Sequence, residues 1–531
     1  MTDLEDTPSS TDPATQRHPG LGATQVGDAS KDAEPRQPSE PGKMELRLMV
    51  ETAISSSEAP SIFVDDRYWT LSEPLDIESE PVPPYICVSY VWGDGRVTNP
   101  IHPSSMMSDR TLGSFTAAAC QYRGGAGSPI RIWMDAFCVP VERAKKRATL
   151  ESLGFIFAHA QAVVAVLAPQ SIAAVEEMEA FLALQPGPEE VPNAPIAALD
   201  EDEWIRSVWT YQEIVNSKAI RIVSYPRAET TAPQKSYSDH NLLNIIGDYL
   251  NRWGHSKTGV RYGIRLYYPH ADNFQEILVD WTMAAYTQRS ALQIMSGLDH
   301  RAHVLPENHF YSMLGALTDR PSPRATNPSI EQLAERFMQL CEEKGDYSFI
   351  FCAASRDRRP GFRWRPMPCL FPTMIPWHCY GDGQVGMRLT DGVLLKNVLV
   401  FSVSVQDQRP HPLNPKTRRF LSNWLGEFQF EHTFTVDDED EILLEATYNG
   451  LTMLHFRGRK GAWYCTESGV FFALEKLPQG ETTLAIAVGV RWTFGAPGMA
   501  QIVVNGENEY IPGVFCGPDL HTIEPSTLLL R

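Results

Sequence analysis

Three short segments constrain this chain more than anything else in it: Tyr85-Ile-Cys-Val-Ser-Tyr-Val-Trp-Gly93, Ile132-Trp-Met-Asp-Ala-Phe-Cys138 and Trp209-Thr-Tyr-Gln-Glu213. Each sets an apolar run beside a few polar groups. The first two read as buried strands and the third as a helix. Strands without polar alternation belong to parallel sheets covered on both faces. Ligands of an open α/β sheet bind beyond the carboxyl ends of its strands, and the polar groups of the first two segments fall near that edge.

The surrounding pattern supports such a sheet. Between Tyr85 and Ser224 the expected strands are Tyr85–Val91, Ile130–Phe137, Ala162–Leu167 and Ala219–Ser224. Helical spacing of Leu150, Leu153, Phe157 and Ala160 predicts a helix over Lys146–Ala160. Ser171 is expected to cap a second helix, with Val175, Met178 and Leu182 on one face, and Glu201–Ser217 forms a third. Alternating strands and helices predict an α/β fold with a parallel sheet and helices on both faces.

Beyond this region the organisation changes twice. Residues 1–43 are rich in Pro, Ser, Thr, Asp and Glu and contain no aromatic residue, so a disordered tail is expected. The folded α/β part is placed at 44–225 and a mainly helical region at 226–365. In the latter, Asp272–Met295 reads as one long helix or two, and Ser329 with Gln332 forms a capping box. Residues 366–531 break into short apolar runs such as Val393–Val405, Leu484–Trp492 and Ala500–Val504, which predicts a β-rich C-terminal domain.

Composition removes several function classes. The net charge of −19 argues against a nucleic-acid partner. The densest basic cluster, Arg356, Arg358, Arg359, Arg363 and Arg365, surrounds Trp364 and reads as solvated or packed surface. Nine cysteines without a Cys-x-x-Cys pair fit a reducing compartment. With no signal pattern and no run of 18 apolar residues, a cytoplasmic protein without a membrane span is expected. The fourteen histidines form no pair at metal-ligand spacing, so neither metal nor resident cofactor is expected. Gly381-Asp-Gly-Gln-Val-Gly386 matches G-x-G-x-x-G but opens no helix, and reads as a glycine-rich hairpin turn. The acidic run Asp437–Glu441 lacks EF-hand spacing and reads as a solvated loop.

The polar residues of the three segments carry the functional argument. Strand alternation puts Cys87, Ser89 and Val91 on one face and Val88, Tyr90 and Trp92 on the other. Gly93 and Gly95 permit a tight turn, which leaves either a plain core strand or a pocket rim of Ser89, Trp92 and Asp94. Asp135 interrupts an apolar strand, and a buried carboxylate must be paired or hydrogen-bonded. It is therefore a structural acceptor or a site residue. On the third segment Ile205, Trp209 and Glu213 stack at i, i+4 spacing, beside a stripe of Trp204, Val208, Tyr211 and Val215 that would pack on the sheet. Glu213 reads as a salt-bridge partner of Arg206 or Lys218, as a general base, or as a ribose-hydroxyl binder.

Together the segments resemble the fungal heterokaryon incompatibility (HET) domain, whose motifs read like ALSY-x-WG, LWID-x-LCINQ and W-x-x-QE. The resemblance covers residues 85–224, within the domain placed at 44–225. Phe310-Tyr-Ser-Met-Leu-Gly315 resembles a segment that often follows such a domain. One departure is clear. Where the family continues Ile-Asn-Gln, this chain reads Val139-Pro140-Val141-Glu142, without the amide side chains.

The resemblance implies a role in fungal non-self recognition, where incompatible fusion triggers programmed cell death. It also implies a TIR-like, flavodoxin-like sheet. Many TIR domains cleave NAD at the nicotinamide–ribose bond with a helix-borne glutamate, and Glu213 looks like its counterpart. NAD would then be substrate, not cofactor. The implied binding set is Ser89, Tyr90, Trp92, Gly93, Asp94, Asp135 and Trp209. The implied partners are an unidentified protein of the recognition response and a second copy of the chain. The alternative is a non-enzymatic signalling or self-association module whose C-terminal domain recognises a partner, and the altered loop after Cys138 favours it.

Overall fold

The structure is a computed structural model that describes residues 44–52, 60–77, 81–122, 130–184, 191–226, 235–258, 267–283, 289–298, 301–303, 305–320, 328–373, 379, 381–405, 431–436, 441–448, 451–459, 463–465, 470–475, 477–490, 495–516 and 524–531. The expected tail, residues 1–43, lies outside them, as does the acidic run apart from Glu441.

The chain opens with strands β1 (Met49–Thr52), β2 (Ser61–Val64), β3 (Arg67–Leu71) and β4 (Ile86–Ser89). A small ribbon of β5 (Arg96–Thr98) and β6 (Met106–Ser108) leads to helix α1 (Thr111–Cys120). Then come β7 (Arg131–Trp133), α2 (Asp135–Cys138), α3 (Arg143–Glu151), α4 (Leu153–His159) and β8 (Ala162–Leu167). Helices α5 (Pro169–Ala183), α6 (Ala194–Asp200), α7 (Glu203–Arg206) and α8 (Val208–Val215) precede β9 (Ile220–Ser224) and β10 (Ser236–Ser238).

These strands form an eight-stranded sheet in the order β10-β9-β8-β4-β7-β1-β3-β2. The central strands β9, β8, β4 and β7 are parallel. β10 and the β1-β3-β2 group pair antiparallel, so the sheet is mixed rather than parallel throughout. The tight β2–β3 turn holds Asp65 and Asp66 at φ 57° and 58°, a region aspartate tolerates better than most residues. The central strands are buried on both faces: Ala165 and Leu167 of β8 join the helical core, while Val164 and Val166 join Phe115 of α1.

Several sequence-based boundaries shift. β4 ends at Ser89 and β7 at Trp133, so both expected strands are shorter. The helix expected over Lys146–Ala160 breaks at Ser152, whose hydroxyl donates to the Ala148 carbonyl at 2.7 Å. Ser171 does not cap α5; Ala168 holds that position, Pro169 starts the helix, and the Ser171 hydroxyl turns to Asp202 at 2.5 Å.

A helical layer follows: α9 (Asp239–Thr258), α10 (Pro269–Met283), α11 (Ala291–Leu298), α12 (Pro306–Leu317) and α13 (Ile330–Lys344). Asp272–Met295 is thus two helices. The capping box forms, with Ser329 and Gln332 satisfying each other's backbone N–H groups, and Gly345 ends α13 in the left-handed region.

The C-terminal part is β-rich. A second sheet contains β11 (Gly386–Leu389), β12 (Gly392–Val405), β16 (Trp463–Cys465), β17 (Val470–Ala473), β18 (Gly480–Ala487), β19 (Ala496–Val504), β20 (Glu507–Cys516) and β21 (Ser526–Leu530). A three-stranded sheet holds β13 (Glu431–Val436), β14 (Glu441–Tyr448) and β15 (Leu451–Arg459). Gly381–Gly386 is the close approach of two loops that leads into β11: Gly383 N–H donates to the Gly489 carbonyl at 3.2 Å. One apolar core runs from Leu167 and Ile222 through Trp204, Phe274 and Phe337 to Val398 and Met499, so the helices fill the space between the two large sheets. Among the described residues, no helix is long and apolar enough to cross a membrane.

Candidate functional site

Strand β4 is the pivot of the first sheet. β7, next in the parallel set, lies on one side of it, and β8 and β9 lie on the other. The strand order therefore reverses between β4 and β8, where the two connections leave in opposite directions and open a crevice. Ser89 ends β4 at this edge.

Ser89 is buried at 1 % exposure and faces α8. Its hydroxyl donates to the Glu213 carboxylate and accepts from Trp204 Nε1 at 2.7 Å. The helix expected over Glu201–Ser217 is broken to permit this. Ser207 adopts an extended conformation between α7 and α8, and Ala302 bridges it: Val208 N–H donates to the Ala302 carbonyl at 3.0 Å, and Ala302 N–H to the Arg206 carbonyl at 2.7 Å. The break lets Trp204 reach Ser89 from α7 while Glu213 reaches it from α8.

Asp135 does not interrupt β7 but follows its end, at the first position of α2. It accepts from its neighbour's backbone, Ala136 N–H, at 2.6 Å and from Trp92 Nε1 at 2.8 Å. Of the two readings left open by the sequence, the structure shows the acceptor: Asp135 accepts from backbone and stands at the strand-end edge with Ser89. The Tyr90 hydroxyl pairs with Thr111 at 3.0 Å and lies beside Asp135, whose charge adds to burial in raising its pKa. Gly93 turns the chain at φ 63°, and a β-carbon there would lie 2.6 Å from Arg110 Nε. Asp94 is exposed on that turn. Trp209 is half-buried and stacks on Tyr311 with ring centroids 6.4 Å apart.

The carboxylates have unusual electrostatics. Burial pushes Glu213 up to about 8; the nearby charge of Asp135 adds to this, while the Ser89 hydrogen bond and the Arg301 cation oppose it. Burial also raises Asp135, against the hydrogen bonds from Trp92 and Ala136. Glu213 makes no ion pair among the described residues and retains partial exposure, so the expected bridge to Arg206 or Lys218 does not form.

Two contributors lie outside the motifs. From the sequence Trp204 reads only as part of a packing stripe, because a tryptophan N–H cannot be aimed from sequence. Arg301 is 4 % exposed and donates through Nη1 to the Ser207 carbonyl and the Thr210 hydroxyl, both at 2.8 Å. Burial lowers its pKa to about 10. The segment Phe310–Gly315 lies on α12, which packs along α8: Ser312 donates to the Val208 carbonyl and Asn216 to the Gly315 carbonyl, each at 2.7 Å. Each such bond is worth about 0.5–1.5 kcal/mol. At the end of α2 the chain is held by side chains from the β5–β6 ribbon. Asn99 Nδ2 donates to the Ala136 carbonyl at 2.6 Å, and the His102 ring bonds the Phe137 carbonyl at 2.8 Å.

No curated protein and no solved structure matches the chain. Residues 85–213, the span that carries Ser89, Asp135 and Glu213, match the family model of the heterokaryon incompatibility protein (HET), and in this part the chain is similar to that domain.

Proposed function

We propose that this is a protein of the fungal non-self recognition and cell-death response, and that its 44–225 region is a TIR-like module that hydrolyses NAD with Glu213 as the essential carboxylate. The fold reading is supported by the order β7-β4-β8-β9, which in chain order is second, first, third, fourth, as in flavodoxin-like sheets. The reaction is supported above all by one observation: Glu213 is held at the carboxyl end of β4 by Ser89, partly exposed and without an ion pair among the described residues.

Loss of nicotinamide develops positive charge on the ribose. An ionised carboxylate against that ribose stabilises the charge, more strongly where water is excluded. The leaving group is already cationic and needs no acid, so one carboxylate suffices where glycosidases use two. Water adds to the ribose carbon and loses a proton, giving ADP-ribose, nicotinamide and H⁺. Burial favours the protonated form of Glu213, and a cationic nicotinamide ring beside it favours ionisation.

The test is nicotinamide release from NAD by the full chain, followed by chromatography. Release by the wild type with a loss of roughly 100-fold or more in Glu213→Gln supports the proposal. No release, even from protein clustered on a surface, or full activity in Glu213→Gln, overturns it. The site then belongs to a non-enzymatic module, in which Trp204, Ser89 and Glu213 serve to fasten α7 and α8 to β4.

A further inference from the structure

We infer that the cationic face of α3 formed by Arg143, Lys146 and Arg147 binds the pyrophosphate of a dinucleotide whose ribose lies against Glu213. The dinucleotide as ligand rests on the proposed NAD reading.

Positions 143, 146 and 147 fall at i, i+3 and i+4, so the three side chains share one face of α3. Ala148 and Thr149 are buried on the opposite side and turn that face outward. Arg143 and Lys146 are exposed, and Arg147 is half-buried.

Ion pairing sets these three apart from their neighbour. Lys145 is bound to Glu45 at 2.6 Å and to Glu142 at 3.3 Å. Arg143, Lys146 and Arg147 make no ion pair among the described residues. The chain carries a net charge of −19, so three adjacent cations without a carboxylate partner are a local excess.

The position of α3 separates this excess from an ordinary solvated charge run. Residues 139–142 alone divide α3 from α2, the helix that opens with Asp135. The charge of Lys146 reaches Asp135 and opposes the rise that burial causes there. On its other side α3 packs beside α12. There the charge of Arg147 reaches Tyr311, whose ring stacks on Trp209, one turn before Glu213. The cationic face therefore extends from the Asp135 side of the strand-end edge to the Trp209 side.

Charge and length select the ligand. A dinucleotide brings two phosphates toward an edge that holds Asp135 and Glu213, and cations beside that edge offset the repulsion. A guanidinium grips phosphate oxygens through two parallel bonds, and an ammonium adds a point charge. Arg143 to Arg147 spans about 6 Å along the helix axis, which suits two joined phosphates. Glu142 stands before this stretch, and Glu151 and Glu307 stand beside Tyr311 at its far end. A longer polyanion, such as a nucleic-acid strand, would meet those carboxylates.

The experiment is calorimetric titration of the full chain with ADP-ribose and with adenosine. ADP-ribose keeps the pyrophosphate and has no nicotinamide bond, so its binding is independent of whether NAD is cleaved. The wild type should bind ADP-ribose roughly tenfold or more tightly than adenosine, and added salt should weaken it. Arg143→Gln combined with Lys146→Gln should weaken ADP-ribose by about tenfold or more and leave adenosine and thermal unfolding unchanged. Lys145→Gln, on the same helix but paired elsewhere, should leave ADP-ribose binding unchanged. No ADP-ribose binding by the wild type, undiminished binding by the double variant, or an equal loss in Lys145→Gln would overturn the inference. Nicotinamide release from NAD together with undiminished ADP-ribose binding in the double variant sinks this site and leaves the NAD reading standing. Cation-dependent ADP-ribose binding without nicotinamide release sinks the NAD reading and leaves this site standing.

Discussion

The Ser89 hydroxyl donates to the Glu213 carboxylate across 124 residues of sequence, tying the end of a central strand to the last turn of α8. The same hydroxyl accepts from Trp204, so one small side chain sets the position of both segments of a broken helix.

Glu213 should make the protein less stable as pH rises. Its folded pKa is pushed up to about 8, from an ordinary value of 4.5, because burial disfavours the charged form. A carboxyl raised on folding contributes stability that is fully present below its unfolded pKa and is lost as pH climbs through the folded value. Denaturant unfolding of wild type and Glu213→Gln between pH 5 and 9, chosen to span that window, should show the wild type losing stability relative to the variant. Parallel pH profiles would refute the assignment.

Arg301 should hold both the helix break and the ionisation of Glu213. Arg301→Met removes two charge-assisted hydrogen bonds and the cation that opposes the rise in Glu213. The expected loss of stability is about 2–4 kcal/mol. The Glu213 titration should move to higher pH, which carbon-13 NMR of labelled glutamate reads directly. An unmoved titration would limit Arg301 to packing.

The crossing of α4, α8 and α12 should tolerate no added methyl at Gly154. A β-carbon there would lie 2.2 Å from the Gly315 carbonyl oxygen and 2.3 Å from that of Thr318, both backbone atoms. At Gly315 the obstruction is the end of the Gln212 side chain, 1.6 Å away, which can rotate. Gly154→Ala should therefore destabilise by about 3 kcal/mol or more and Gly315→Ala by less. Thermal unfolding of the two variants settles the order.

Apolar patterning made the central strands legible. The run Ala162–Leu167 predicts β8 residue for residue, since six consecutive apolar positions leave a buried parallel strand little alternative. Ser329 and Gln332 likewise announce the start of α13 by purely local hydrogen bonding. The boundaries of β7 and the break at Ser207 were not legible. Asp135 continues an apolar run that reads as strand, and the extended Ser207 is held by Ala302 and Arg301, about 95 residues away in the chain. The antiparallel β1-β3-β2 group was equally hidden, because pairing direction depends on contacts between strands, not on their composition.

By itself, then, the sequence determined that an α/β sheet would form around three motifs and that Ser89, Asp135 and Glu213 were its notable polar groups; periodicity and the cost of burying charge are local properties. Only the tertiary structure decided that Ser89 meets Glu213, that Trp204 and Arg301 join them, and that the Tyr90 hydroxyl lies between Thr111 and Asp135. Those outcomes depend on the reversal of strand order beside β4 and on a helix break imposed from outside, which arise only when distant segments pack together.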